Sequence, residues 1–329
     1  MALISSIPVR GAAEEIAFRD VPDTHWAASE IAEAARLGLV SGTDDGVFGF
    51  GRAVTCAEYS VMLCRLMDWE MLDPEQGSFA DNQDRGAWYY SAIETAYANG
   101  ALLKLNETCQ PQRALTREEM VTMTVRALGY TALAGIVHDD CPFTDVTTNR
   151  GYFAIAYRMG LTGGTDNTIF SPRDISTREQ AAVVLLRTCH RLNAPFEVAP
   201  LKDGDAAYVA VEPVQNMDGQ LPLCPLAPME DVYYAAIEAG EGGAVLLQTL
   251  PYAIEVGALA GGRVTQERLR QILSDSGTQS YHSERYDSSY LVWQIEGSLP
   301  MVVWYESEED LAAKAALCRN MGLRALYLQ

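Results

Sequence analysis

Apolar residues recur at helical spacing in three stretches, and each stretch stops at a glycine. Ile31, Ala34 and Ala35 share one face of a helix expected over 26–37, which Gly38 ends. Ile93, Ala96 and Tyr97 precede Gly100 in the same way, and Met159 precedes Gly160. A polar loop follows, then a second amphipathic stretch: Val121, Val125 and Leu128 line it in the second copy, Ala181, Val184 and Leu185 in the third. Each second helix opens on a capping box, Thr55 with Glu58, Thr116 with Glu119 and Thr177 with Gln180. The three threonines stand at successive intervals of 61 residues. Phe18, Phe79 and Phe143 open the units, each followed two residues later by Asp20, Asp81 or Asp145. One helix–loop–helix unit is used three times. A single pair cannot bury its own apolar stripe, so the three are expected to share a core.

Beyond residue 193 the pattern changes. Pro195, Pro200, Pro213, Pro222, Pro225 and Pro228 crowd the stretch 194–228, which reads as a linker or an extended surface-hugging segment. After it, helices are expected over 231–239, 265–273 and 307–321. Strands are expected over 244–250, 289–295, 299–305 and 323–328, with a turn at Glu296, Gly297 and Ser298. The organisation expected is a terminal segment 1–17, repeats at 18–70, 79–130 and 143–193, the proline-rich stretch 194–228, and a domain at 229–329. The fold class is a mainly α three-repeat module plus a small α+β domain of four or five strands.

Composition narrows the function. The 329 residues carry 48% hydrophobic and 21% charged positions, the balance of a folded chain, and a formal net charge of −20. That charge argues against nucleic-acid partners and against electrostatic adhesion to anionic lipid. No apolar run reaches the length of a membrane span, and residues 1–18 do not read as an intact signal peptide. Seven cysteines without paired spacing make a disulfide framework improbable, and Cys64 and Cys189 read as small buried hydrophobes. There is no C-x-x-C pair, His282 has no spaced second ligand, and neither a metal nor a cofactor is expected.

The repeats resemble S-layer homology domains of bacterial cell-surface proteins. The motifs are FRDVPDTHWA, GLVSGTDDGVF and TCAE in the first copy, FADNQDRGAW and TREE in the second, and FTDV, GLTGGTDNTIFSP and TREQ in the third. The resemblance implies non-covalent anchoring to a secondary cell-wall polysaccharide, often bearing a pyruvate ketal, through grooves between neighbouring repeats. It assigns glycan binding to Arg117, Arg178, Trp26, Trp88, Asp81, Asp145, Gly163 and Gly164. The chemistry fits: a ketal carboxylate suits the planar fork of arginine, and a sugar face suits an aromatic platform. The capping boxes and phenylalanines are explained by folding alone. Arg117 and Arg178 are not, because a cation in the first turn opposes the helix dipole; ligand contact and surface salt bridge are both open for them. Loss of the Arg178 side chain is expected to leave the fold intact, since Thr177 and Gln180 keep the cap. Departures from the motif are Cys56 for the arginine of repeat one, Lys104 where repeats one and three have Gly42 and Gly164, and Tyr152-Phe153 near the His-Trp position of repeat three. At most two grooves are therefore expected to be competent, the best preserved being the repeat-three loop with Arg178.

Residues 229–329 resemble the last third of family-18 glycoside hydrolases, with 231–255, 261–293 and 301–329 in the family's order. The family's Asp-x-x-Asp-x-Asp-x-Glu acid motif is absent from the sequence. The stretch is also shorter than a (β/α)8 barrel needs. Glu306 is the one tempting acid, and with Glu308, Glu309 and Asp310 it reads more simply as decoration of a helix N-terminus. Trp293, Trp304 and Tyr305 read as core, with a sugar shelf as the other reading. The function expected is that of an extracellular, wall- or S-layer-associated anchored protein with a non-catalytic C-terminal domain and no enzyme activity. The alternatives are part of a split hydrolase acting on wall or spore glycan, and a structural envelope protein whose second domain serves assembly.

Overall fold

In a computed structural model of the chain, the structure describes residues 17–104, 106–196, 198–202, 208–211, 226–247, 249–255, 261–275, 278–284, 286–294, 297 and 299–327. The terminal segment 1–16, most of the proline-rich stretch and the flanks of the expected turn at 296–298 lie outside them. The chain divides into a unit of Leu3–Asn193 and a unit holding Ala194–Gln329.

The first unit is built of α1 (Ala28–Arg36), α2 (Cys56–Met67), α3 (Tyr90–Ala98), α4 (Arg117–Ala127), α5 (Thr131–Ala134), α6 (Arg150–Arg158) and α7 (Arg178–Leu192). Thr55, Thr116 and Thr177 open α2, α4 and α7 as the spacing requires; the first two capping boxes form in full, and in the third Gln180 accepts the Thr177 N–H while Thr177 Oγ1 accepts no hydrogen bond. Short α5 and a 3-10 turn at Val137–Asp140 are not foreshadowed by the periodicity. They fill the extra residues that separate Phe143 from the 61-residue interval. One buried cluster draws on all three copies, with Ile31 and Leu39 from the first, Phe79 and Ile93 from the second, and Ala181 and Leu185 from the third.

The copies interlock cyclically. α3 packs on α2, α6 on α4, and α1 on α7, so the first helix of each repeat lies on the second helix of the one before it. A closed ring of backbone hydrogen bonds joins the residues just before the three caps. The Val54 N–H donates to Ser176 O at 3.0 Å, the Ser176 N–H to Leu115 O at 2.8 Å, and the Leu115 N–H to Val54 O at 3.0 Å. All three residues are buried. The first N–H of each second helix, an orphan in an isolated helix, is satisfied by the next repeat: Cys56 donates to Arg113 O, Arg117 to Asp174 O and Arg178 to Arg52 O, at 2.9–3.0 Å.

Asp20, Asp81 and Asp145 brace the loops. Asp20 accepts from the N–H groups of Phe48, Gly49 and Phe50, Asp81 from Cys109 and Gln110, and Asp145 from Phe170 and Ser171. Burial raises each carboxyl, and the N–H donors outweigh it and hold each below the usual range.

The second unit holds two sheets, so the chain as a whole is mixed α/β rather than mainly α. Its elements are β1 (Val198–Pro200), β2 (Val209–Ala210), α8 (Met229–Ala239), β3 (Ala244–Leu247), β4 (Tyr252–Glu255), β5 (Gly261–Arg263), α9 (Gln266–Leu273), β6 (Gln279–Ser283), β7 (Ser288–Trp293), β8 (Met301–Tyr305), α10 (Glu308–Asn320) and β9 (Arg324–Tyr327). A parallel sheet runs β1-β9-β3-β2, and an antiparallel sheet runs β5-β4-β8-β7-β6. Seven strands stand among the described residues of 229–329, where four or five are expected, and two more lie in the proline-rich stretch. The extra ones are short or polar, and pairing rather than periodicity makes them strands. The described part of the proline-rich stretch supplies β1 and β2 at the two edges of the parallel sheet, the places where Pro200 removes no needed donor.

Replacing Leu115 by proline takes one donor from the ring and orphans the buried Val54 carbonyl. The Leu115→Pro variant is expected to lose about 1–3 kcal/mol beyond Leu115→Ala, read as urea midpoints by circular dichroism. Equal midpoints for the two variants would show that the ring does not hold the repeats.

Candidate functional site

Two grooves open between the repeats, and each is assembled from all three copies. The first, of about 440 Å³, is lined by the repeat-one loop Ser41-Gly42-Thr43, by Glu58, Met62 and Arg65 of α2, by Trp88 of repeat two and by Arg178 of repeat three. The second, of about 510 Å³, is lined by the repeat-three loop 161–165, by Gln180, Val183 and Arg187 of α7, by Trp26 of repeat one and by Arg117 of repeat two. The same rule builds both: the loop and second helix of one repeat, the tryptophan of the next and the arginine of the one before. Trp26 and Trp88 are 57% and 63% exposed, as an aromatic platform must be.

The arginine therefore serves a neighbour's loop. The repeat-three loop, with Gly163 and Gly164, receives Arg117, and Arg178 goes to the repeat-one loop. This corrects the expected pairing of Arg178 with its own repeat's loop. Gly164 is there for steric reasons: a Cβ would stand 2.2 Å from Asp166 O and 2.4 Å from Ile169 O. Asp81 and Asp145, assigned to the glycan by resemblance, line neither groove. Their carboxylates are occupied by the backbone donors described above.

The two arginines differ sharply. Arg178 is 3% exposed. Its Nε donates to Phe48 O at 2.9 Å, its Nη2 to Ser41 O at 2.8 Å, and its Nη1 pairs with Glu58 Oε1 at 3.0 Å. Burial pulls its pKa down, and the Glu58 carboxylate opposes that. It is thus a strut between repeats, neither a surface salt bridge nor a side chain the fold can lose without cost. Arg117 is half-buried over the Phe170 ring, 4.3 Å from its centroid, with Nε donating to Phe170 O at 3.0 Å and a longer 3.5 Å contact from Nη2 to Gly163 O. Burial again pulls its pKa down. It makes no carboxylate ion pair among the described residues.

The corresponding position in the third inter-repeat site lacks this chemistry. Cys56 is buried and its thiol is pushed up to about 11 by burial, so it brings no charge. Arg126 covers Tyr152, its Nε 3.3 Å from the hydroxyl. Arg65, Arg126 and Arg187 escape motif reading, yet they too stand 61 residues apart, seven beyond each capping Glu58, Glu119 or Gln180. Two helical turns bring Arg65 and Arg187 into the two grooves.

In the second unit Glu306 follows β8 and is sealed in. The Glu306 and Lys314 side chains are 2% and 3% exposed and paired, and Lys314 Nζ also donates to Ser288 Oγ at 2.9 Å. Burial pushes the Glu306 carboxyl up to about 7 in spite of the Lys314 ammonium. The aromatic shelf of the sequence reading is divided by the pleat. Trp304 stands beside Tyr290 and Tyr286, while Tyr305 and Trp293 join the core with Leu269 and Ile272 of α9. Among the described residues no group of three or more metal-ligating side chains occurs, and no helix is long and apolar enough to cross a membrane.

A family model for the S-layer homology domain matches residues 17–59, 79–121 and 142–182. Among curated relatives, an exoglucanase of Acetivibrio thermocellus is 28% identical over 187 residues, 55% of this chain and 17% of that one. An S-layer protein of Bacillus thuringiensis is 26% identical over 62% of this chain and 25% of its own length. The cellulosome-anchoring protein of Acetivibrio thermocellus is 32% identical over 42% of this chain and 31% of its own. The chain thus spans less than a third of each of these relatives. Among solved structures, a chitinase of Chromobacterium violaceum covers 64% of this chain and 69% of its own at 13% identity and a TM-score of 0.32. The spore cortex-lytic enzyme SleL of Bacillus megaterium covers 40% and 36% at 14% identity and a TM-score of 0.30.

Two variants separate strut from half-exposed cation. Arg178→Ala is expected to cost about 3 kcal/mol, because it breaks a buried pair and two carbonyl contacts. Arg117→Ala is expected to cost about 1 kcal/mol, for one hydrogen bond. Urea denaturation of the full chain checks both, and equal losses would refute the distinction.

The Glu306 carboxyl yields a pH dependence of defined sign. Its folded pKa stands above the ordinary glutamate value of about 4.5, so its contribution is full below about 4.5 and is lost as pH rises toward about 7. Asp310 works oppositely: burial raises it, its hydrogen bonds outweigh that, and its contribution is lost only below 3.8. The urea midpoint of the second unit, read at the Leu291 and Val303 methyl resonances, is expected to fall between pH 5 and 7. Glu306→Gln is expected to flatten that slope.

Proposed function

From the premise that residues 17–59, 79–121 and 142–182 are S-layer homology domains, we propose that the chain is a surface protein held non-covalently to cell-wall polysaccharide by the two inter-repeat grooves. The observation that carries the reading is their composition: an exposed tryptophan, an arginine and a glycine-bearing loop, each from a different repeat, meeting in one cleft. An aromatic face stacks on a sugar ring, and an arginine fork receives a carboxylate such as a pyruvate ketal. Proteins named as an S-layer protein and a cellulosome-anchoring protein are similar to 62% and 42% of this chain, which supports placement at the wall or S-layer. Trp26, Trp88, Arg117, Gly163 and Gly164 are the proposed contacts. Arg178 contributes as the frame of its groove, with its two remaining N–H bonds.

The second unit, on this reading, is non-catalytic. An acid catalyst must reach the leaving oxygen, whereas Glu306 is enclosed with Lys314 and Ser288. The resemblance of 229–329 to glycoside hydrolases brings no acid motif with it.

The full chain is expected to sediment with sacculi that retain their secondary polysaccharide and to stay in solution after that polymer is stripped by acid. The Trp26→Ala, Trp88→Ala double variant, altered only at exposed positions, is expected to lose at least about 2 kcal/mol of wall affinity, in line with truncation of an aromatic anchor. Equal sedimentation with both preparations would remove the reading. No turnover of chitin oligosaccharides or peptidoglycan fragments is expected, and a rate abolished in Glu306→Gln would make the second unit an enzyme.

A further inference from the structure

We infer that β6, an edge strand of the antiparallel sheet, is a self-pairing surface: two copies of the chain join edge to edge about a two-fold axis through Tyr281. The inference concerns the second unit alone and does not depend on the reading of the grooves.

The sheet β5-β4-β8-β7-β6 ends in two strands of unlike character. β5 is Gly261, Gly262 and Arg263, short, glycine-rich and charged, a composition that discourages further pairing. β6 has five residues, Gln279–Ser283, and pairs only with β7 among the described residues. Four of the five are exposed, on both faces of the strand, so its free edge is open to solvent. Along such an edge alternate residues turn their N–H and C=O groups outward. The usual guards are missing from β6: it has no lysine, arginine, aspartate or glutamate, no proline, and a register that runs unbroken through all five residues.

An aromatic stack leads to the same edge. Tyr252, Trp304, Tyr290 and Tyr281 stand directly opposite one another on β4, β8, β7 and β6, and therefore share one face of the sheet. The Trp304 and Tyr290 ring centroids are 4.9 Å apart, and those of Tyr290 and Tyr281 5.3 Å apart with their planes 22° from parallel. The stack ends at Tyr281, which is 43% exposed. The next strand of the sheet would supply the next ring.

A second copy of β6 supplies it. Antiparallel pairing centred on Tyr281 sets Tyr281 against Tyr281, Ser280 against His282 and Gln279 against Ser283, the last two pairs each occurring twice. Glu284, the first acid beyond the strand, falls opposite Thr278. No like charges face each other along this edge, in a chain whose net charge of −20 makes two copies repel elsewhere. His282 is held by its own chain, with Nδ1 3.0 Å from Asp310 Oδ1 and Nε2 4.0 Å from Asp287 Oδ1. The contact is isologous, the same patch serving both copies, and with five residues a side it is small enough for dimer and monomer to exchange.

The test is the association state of the full chain by sedimentation equilibrium. The wild type is expected to show a reversible monomer–dimer equilibrium. Tyr281→Glu puts two like charges face to face at the axis and is expected to weaken it at least about tenfold, with the Leu291 and Val303 methyl resonances unchanged. Gln279→Glu combined with Ser283→Lys sets opposite charges on facing positions in this register and is expected to tighten it about tenfold. Tyr281→Cys, treated with oxidised glutathione, is expected to give a covalent dimer on a non-reducing gel, two thiols becoming one disulfide as the glutathione disulfide is reduced to two thiols. Tyr157→Cys, equally exposed on α6 of the first unit, is expected to give none, and the described cysteines of the wild type are all buried. A wild type that is monomeric at every concentration overturns the proposal and leaves the edge to an extended segment of another protein. A dimer undiminished in folded Tyr281→Glu, or a Tyr281→Cys variant that does not cross-link, overturns it by placing the contact elsewhere. Should Tyr281→Glu fail to fold, the charge-paired variant and the cross-link decide. The Tyr281→Glu chain is still expected to sediment with sacculi, so loss of pairing and loss of anchoring are read separately.

Discussion

The three-membered ring of main-chain hydrogen bonds among Val54, Leu115 and Ser176 is the constraint from which the rest of the first unit follows. Because it uses only backbone groups, it places no demand on the side chains, and valine, leucine and serine occupy its three corners. It does fix where the three second helices start. Each N-terminus is brought against the loop of the next repeat, whose carbonyl takes the first orphan N–H. A residue at that first helical position then has one direction to go, into the neighbour's loop. The grooves are the consequence, because the ring carries each arginine out of its own repeat.

The same position yields two different objects. Arg178 left water for two carbonyls, a carboxylate and the Phe48 ring, which compensates both its desolvation and its unfavourable place at a helix N-terminus. Arg117 has one good carbonyl contact and the Phe170 ring. The difference starts in the partner repeat, where Glu58 stands in one case and Gln180 in the other. A substitution that is neutral for helix capping is not neutral for the cation it faces.

Much of this was legible in the sequence. The 61-residue interval located the caps, the paired helices and the shared core, and Trp26, Trp88, Arg117, Gly163 and Gly164 do reach grooves. Repetition states which residues are equivalent, though, and says nothing of which are adjacent. Equivalence alone pairs the loop carrying Gly163 with Arg178, the arginine of its own repeat, whereas the cyclic packing of α6 on α4 delivers Arg117. Arg65, Arg126 and Arg187 recur at the same interval but lie outside the motif, so the motif does not mark them. The roles of Asp81 and Asp145 depend on loop N–H groups 25–29 residues away, which no local pattern announces. In the second unit the capped helices α9 and α10 were readable from Thr265 and Ser307. Strands such as Gly261–Arg263 and Gln279–Ser283 were not, because a short polar segment becomes a strand only through its partner.

Buried charge follows one rule in both units. Glu306 and Lys314 are enclosed together, with Ser288 as a third partner, and Arg178 and Glu58 are enclosed at the joint between repeats. Arg178 and Glu58 stand 120 residues apart, so their pair forms only with the tertiary structure, whereas Glu306 and Lys314 are eight residues apart and reach across the sequence only through Ser288. Such pairs add little net stability over apolar replacements, and their value is that a misregistered packing would strand a charge. The half-buried Arg117 is the exception to this closure, and it lies in a cleft lined by an exposed tryptophan and a glycine-bearing loop. An open valence on a cation that lines a cleft is what a binding site requires. The framework can keep it because the helix cap and the backbone ring, which hold Arg117 in position, do not depend on what the guanidinium binds.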